Sequence, residues 1–193
     1  MPTDTARAKW DRIYAGLLES EPEPAFVLAE NAHLLPPAGE ALDLACGLGG
    51  NALFLARRGF GVAAWDLSPV AVAALASRAS RLGLSIDAQA RDVEAEPFPV
   101  GMFDVVVVSR FLARPLARPI VDSLKPGGLL FYQTYTRDKP GPQGPSNPDY
   151  LLAESELLNL FKGMRLLVYR EEGSVGDLGA GQRGEAYFVG RKR

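Results

Sequence analysis

The sequence predicts a single α/β domain: a doubly wound, mostly parallel sheet with a C-terminal antiparallel hairpin. Three observations carry that prediction. Short apolar runs bounded by glycine or an acid alternate with helical patterns from residue 41 to about 135. Phe103 to Ser109, FDVVVVS, holds four consecutive valines, which marks a strand buried on both sheet faces. Met164 to Arg170 and Glu185 to Gly190 read as two strands joined by a glycine-rich connection. At 193 residues the chain is long enough for one ample core and short for two. One domain over 1–193 is expected, with 1–38 an N-terminal helical cap and 137–148 a flexible loop.

Thr3 to Ser20 reads as an amphipathic helix, since Trp10, Ile13, Tyr14, Leu17 and Leu18 follow the i, i+3, i+4, i+7, i+8 spacing of one face. Thr3 or Asp4 can cap it, and spacing alone assigns Trp10 and Tyr14 to core packing. Glu21 to Pro24 breaks the chain; Ala25 to Leu35 forms a short second helix ended by Pro36 and Pro37. His33, the only histidine, falls there as a structural or exposed residue, away from every glycine motif. Ala41, Leu42 and Leu44 then supply a strand that runs into a turn at Gly47, Gly49 and Gly50. Asn51 to Gly59 follows as a helix that opens its N-terminus onto that turn.

Gly61 to Asp66 is a second buried strand ending in an acid, after which Ser68 caps a helix with Pro69 at its first position. Leu84 to Ala90 is a weaker third strand followed by Arg91-Asp92-Val93, and Phe103 to Ser109 is the central fourth. Leu116 to Leu124 is a short helix. The Pro126-Gly127-Gly128 turn then leads to a fifth strand, Leu129 to Thr134. Arg137 to Pro148, rich in Pro and Gly, reads as an exposed loop and a candidate lid, and Glu154 to Phe161 as the last helix.

A strand, a glycine turn and a helix N-terminus together make a nucleotide-like ligand site. Gly47, Gly49 and Ala52 also satisfy the G-x-G-x-x-A form of the dinucleotide fingerprint, and Asp66, 19 residues beyond Gly47, stands where a doubly wound fold places the acid on the ribose hydroxyls. An NAD-type oxidoreductase and a non-catalytic cofactor-binding module are therefore alternatives. Asp43 discriminates. A carboxylate raises the cost of a pyrophosphate in the turn and attracts a ligand that carries an ammonium and a sulfonium, such as S-adenosylmethionine. Bracing the turn is the other role open to Asp43.

Ala41 to Asn51, ALDLACGLGGN, resembles motif I of the class I S-adenosylmethionine-dependent methyltransferases, with Ala45 where that family commonly has its first glycine. The departure is small, since alanine can adopt most backbone conformations available there. Asp66, Asp92, FDVVVVS and the Pro126-Gly127-Gly128 turn follow in the family's order, so the resemblance extends from about Trp10 to Tyr135. It implies a Rossmann-like class I methyltransferase fold and S-adenosyl-L-methionine as cofactor. The methionine end falls to Asp43, Ala45, Cys46, Gly47, Gly49 and Asn51. The nucleoside falls to Asp66, Leu67, Asp92 and Val93, and Ser109 with Arg110 takes the motif IV place beside the methyl group. The Trp10-Asp11-x-x-Tyr14 segment looks like the N-terminal helix that covers the cofactor in many small bacterial methyltransferases. The stretch PSNPDYLLAESELLNLF and the terminal hairpin are most similar to the tellurite-resistance type.

Composition narrows the partners. A formal net charge of -2 provides no basic field for nucleic acid, and the basic run Arg191 to Arg193 reads as a solvated tail. No segment approaches about 18 uninterrupted apolar residues, so no membrane partner is expected. One cysteine, Cys46, excludes an intrachain disulfide, gives no metal cluster and fits a reducing compartment; a cytoplasmic enzyme is expected, with Cys46 as a packing residue. The acceptor is a small molecule. Methyl transfer from a sulfonium needs mainly proximity and alignment, and no catalytic base stands out. Trp10, Tyr14, Tyr135, Arg110, Arg114 and Arg137 are the candidates for acceptor contact. The three arginines follow the fourth and fifth strands, suiting an anionic, soft nucleophile such as a thiol or a chalcogen oxyanion.

Overall fold

In the computed structural model, which describes residues 2–193, seven strands form one sheet in the order β3-β2-β1-β4-β5-β7-β6. They are β1 (Glu40–Leu44), β2 (Gly61–Asp66), β3 (Ile86–Ala90), β4 (Phe103–Ser109), β5 (Leu124–Tyr135), β6 (Arg165–Arg170) and β7 (Glu185–Arg191). The helices are α1 (Pro2–Ala15), α2 (Phe26–Glu30), α3 (Gly50–Ala56), α4 (Pro69–Arg81), α5 (Ala117–Ser123) and α6 (Glu156–Leu160). β1 to β5 pair in parallel, and β7 runs antiparallel to both β5 and β6. Strand order reverses between β1 and β4, and ligands of such sheets bind in the crevice beyond the strands' carboxyl ends at that reversal. Because β7 is antiparallel, its first residue, Glu185, stands at the same edge, opposite Tyr135.

The valines of β4 explain the layering. Val105 and Val107 enter one core with Val27, Leu55 and Leu75, whereas Val106 and Val108 enter the other with Ile120, Leu157 and Phe188. Successive strand residues point to opposite faces, so an unbroken valine run requires cover on both. Val27, Leu28, Leu53, Leu55, Leu75 and Ala79 bring α2, α3 and α4 onto the first face; Ile120 and Leu157 bring α5 and α6 onto the second. α1 lies outside this pair of cores, against α4.

Several boundaries differ from expectation. The first helix begins at Pro2, which puts Thr3 and Asp4 inside its first turn, and it ends at Ala15. Trp10, Ile13, Leu17 and Leu18 are exposed rather than packed into the core, because among the described residues no further layer lies beyond α1. The second helix splits at Asn31, whose Nδ2 donates to the Val27 carbonyl at 2.9 Å and draws the backbone out of the helix; a 3-10 turn, Ala32–Leu34, carries the exposed His33. The proline-glycine turn lies within β5 as an irregularity in its pairing with β4. Arg191 and Lys192 are a tied strand end and not a solvated tail. Arg191 Nε donates to the Gly127 carbonyl (3.1 Å), and Lys192 Nζ to those of Asp122 (3.1 Å) and Leu124 (2.6 Å). Residues 137–147 carry no helix or strand, and Lys139 Nζ braces them through the carbonyls of Gln143 and Pro145.

Candidate functional site

β1 ends at Leu44 and the backbone turns at once. Ala45 (φ +55°), Gly47 (+52°) and Gly49 (+84°) all take the left-handed conformation. Glycine adopts it freely; alanine does so at a cost of about 1 to 2 kcal/mol, so the family's glycine is replaced here with strain and not for nothing. Gly50 is required for a different reason, since a Cβ there would stand 2.1 Å from the Glu23 carbonyl oxygen. Cys46 is buried beside the turn, and burial pushes its thiol well above the ordinary range, as suits a packing residue and not a nucleophile.

Two carboxyl groups lie beneath the turn. Asp43 is fully buried; its Oδ1 accepts from Asn51 Nδ2 (3.1 Å) and its Oδ2 from the Ala52 amide (3.0 Å). Burial pushes its pKa up to about 7 against the lowering pull of those two hydrogen bonds. Asp66 Oδ2 accepts from the Gly47 amide (2.8 Å) and Oδ1 from that of Ser68 (2.9 Å), and burial raises it as well. Neither forms an ion pair among the described residues. Both therefore brace the turn, and both lack a countercharge. A cationic ligand relieves that arrangement, and a pyrophosphate aggravates it.

Asn51 ties the ends of neighbouring elements together. Besides Asp43, its Nδ2 donates to Ser109 Oγ at the end of β4 (3.1 Å), while its Oδ1 accepts from the Ala25 amide ahead of α2 (2.8 Å). α1 covers the turn from outside. A Cβ on Gly47 would stand 3.0 Å from the Tyr14 hydroxyl, which burial and the nearby Asp66 charge push up in pKa, so Tyr14 stays a neutral phenol. Asp11 Oδ1 accepts from Ser68 Oγ and from the Val70 amide (3.4 Å), docking α1 on the start of α4. Trp10 stacks on Tyr14 with ring centroids 5.7 Å apart but remains exposed.

Of the residues expected to take the nucleoside, Val93 is buried in the same core as Trp65, and Leu67 and Asp92 are half-buried. Asp92 Oδ1 accepts from the Glu94 amide (3.2 Å), the geometry of a turn aspartate. The three arginines part company. Arg114 donates to Glu156 Oε1 (2.5 Å) and Oε2 (3.0 Å) and to the carbonyls of Asp149 (2.5 Å) and Leu151 (3.0 Å), so the residue expected to hold an acceptor fastens the chain ahead of α6 instead. Arg137 is exposed. Arg110 has φ +54°, a side chain 68% exposed, and a bond from Nε to Glu185 Oε1 (3.1 Å). Tyr135, half-buried, is near enough for the Arg110 charge to oppose the upward push of burial on its hydroxyl. Glu185 and Gln133 escaped the sequence reading. Glu185 is a lone acid opening an apolar run, and only the β5-β7 pairing brings it to the crevice.

A family described as a methyltransferase domain matches residues 41–128. The chain is 30% identical over 159 residues to the probable S-adenosyl-L-methionine-dependent methyltransferase TehB of Haemophilus influenzae, across 78% of this chain and 54% of that protein. It spans about half the length of the curated relatives it matches. The crystal structure of TehB from the same organism superposes with a TM-score of 0.69 at 24% identity, covering 86% of this chain and 61% of that one. A structure solved for the conversion of a disulfide bond into a thioacetal group during echinomycin biosynthesis superposes with a TM-score of 0.72 at 22% identity, over 97% and 93% of the two chains. Both likenesses carry the fold.

Proposed function

We propose that this chain is a class I S-adenosylmethionine-dependent methyltransferase and that it transfers the cofactor's methyl group to a small anionic or soft nucleophile such as a thiolate or a chalcogen oxyanion. The observation that carries the cofactor is the pair of buried carboxyls, Asp43 and Asp66, beneath a glycine turn with no ion-pair partner among the described residues. Asp43 with the Gly47–Gly49 turn would hold the methionine end, Asp66 the ribose hydroxyls, and Asp92 with Val93 the adenine. When bound, the cofactor supplies a methyl group activated by its sulfonium. Tyr14 then excludes water over the turn, Asn51 fixes the end of β4 against β1, and Arg110 with the exposed Arg137 offers positive charge to the acceptor.

Two experiments test this reading. S-adenosylhomocysteine at 100 times its Kd should raise the unfolding free energy by about 2.7 kcal/mol, whereas NAD should leave the melting temperature unchanged. Stabilisation by NAD alone would overturn the cofactor assignment. A screen of small acceptors should find anionic thiols turned over in preference to neutral ones, with Arg110→Ala raising KM for the anionic members while sparing cofactor affinity. Equal turnover of both classes would sink the acceptor assignment.

A further inference from the structure

Glu185 is only 6% exposed, and the rest of β7 through Gly190 is buried with it. Its Oε2 accepts from Gln133 Nε2 and from Gln182 Nε2 (3.3 Å). Gln133, itself 2% exposed, uses its own Oε1 to accept from the Val27 amide (2.7 Å), so it cannot swing away. The carboxylate is thus held from β5 and from the β6-β7 connection before its other oxygen meets Arg110. A buried carboxylate fixed this firmly defines where its partner must sit.

Arg110 is prepared from its backbone as well. Its left-handed φ at the end of the central strand is of the kind that persists only where the surroundings over-determine it, and its amide donates to the Gln133 carbonyl at 2.8 Å. Glu185 engages Nε alone, and the two terminal nitrogens make no hydrogen bond among the described residues. Resting on the reading of an anionic acceptor, we propose that Glu185 is a positioning residue. It grips one edge of the Arg110 guanidinium and leaves the opposite, two-nitrogen edge as a preset fork for a carboxylate or similar planar oxyanion on the acceptor.

Charge and position predict opposite signs for one substitution. Glu185→Gln removes a negative charge from the site, so by charge alone it would tighten anion binding. By position it loosens the fork, because the amide cannot accept from Arg110 and from both glutamines at once.

The test titrates mercaptoacetate, and 2-mercaptoethanol as its neutral counterpart, into the full chain saturated with S-adenosylhomocysteine. Wild type should bind the anion at least about tenfold more tightly. That preference should fall to near unity in Arg110→Ala, fall at least several-fold in Glu185→Gln, and fall no further in the double variant than in Arg110→Ala alone. A purely structural role for Glu185 would lower the melting temperature and leave the preference intact. An equal or larger preference in Glu185→Gln, alongside its loss in Arg110→Ala, would overturn the positioning role and leave the acceptor class standing. No preference in wild type would remove both. If Glu185→Gln does not fold, Arg110→Lys at the exposed side chain decides: it keeps charge without the fork, so loss of preference supports the proposal and a wild-type preference overturns it.

Discussion

Ala45 and Asp43 show how single residues set the properties of the glycine turn. Ala45 holds a left-handed φ that disfavours a Cβ, so Ala45→Gly should gain about 0.5 to 1 kcal/mol in denaturant unfolding, the relieved strain less glycine's extra unfolded-state entropy. A loss of stability would mean that the alanine methyl contributes more by packing than its strain costs. For Asp43 the sign follows from a folded pKa of about 7 against an ordinary value of 3.8. Between these values the native state keeps a proton that the unfolded chain has shed. The stability contributed is therefore complete below about pH 4 and is lost as pH rises toward 7. The ammonium that S-adenosylhomocysteine keeps favours the ionised carboxyl even without the sulfonium, so its binding near pH 7 should release a fraction of a proton. Calorimetry in buffers of different ionisation enthalpy should detect that release in wild type and not in Asp43→Asn; identical proton counts in the two would remove Asp43 from the ligand's charge balance.

At the scale of an element, α1 behaves as a cover held at two points. Asp11 docks it on the start of α4, and Arg78 of α4 donates from Nη2 to the carbonyls of Ser20 (2.9 Å) and Leu18 (3.4 Å) in the segment that follows it. Arg78 is 7% exposed, and its Nε and Nη1 find no partner among the described residues. A buried cation in that condition is expensive, and an apolar side chain of similar length avoids the expense. Arg78→Met should therefore leave the global melting temperature unchanged or higher, while the lost carbonyl contacts free residues 16–24. Limited proteolysis should then cut within that segment faster than in wild type, and S-adenosylhomocysteine should suppress the difference if α1 closes over the ligand. Slower cutting in the variant would show that Arg78 does not hold the cover.

For the whole molecule, β4 is the shared wall of two cores, so damage on either side should be felt by both. Val107→Ala, at a fully buried position, should cost about 2 kcal/mol and lower the melting temperature by about 4 to 8 °C, with one cooperative transition by fluorescence and by circular dichroism alike. Separate transitions for the two faces would show that the sheet does not couple them.

The sequence by itself determined the succession of strands along the chain up to β5, the glycine turn with Asp43 beside it, the acid ending β2, and Ser68 and Pro69 at the start of α4. Each of these is set by local chemistry: a period of two, a missing Cβ, a cap oxygen within three residues of the amide it satisfies. The tertiary structure alone decided which charges were free. Arg110 and Arg114 look alike four residues apart, yet Glu156, 42 positions on, engages Arg114 along a whole edge of its guanidinium, whereas Glu185, 75 positions on, takes only one nitrogen of Arg110. Likewise, Trp10 and Ile13 on the apolar face of α1 read as core in their spacing and are exposed because nothing among the described residues packs outside them. Pairing and burial depend on groups brought together from distant parts of the chain, and the residues on either side of an arginine carry no trace of them.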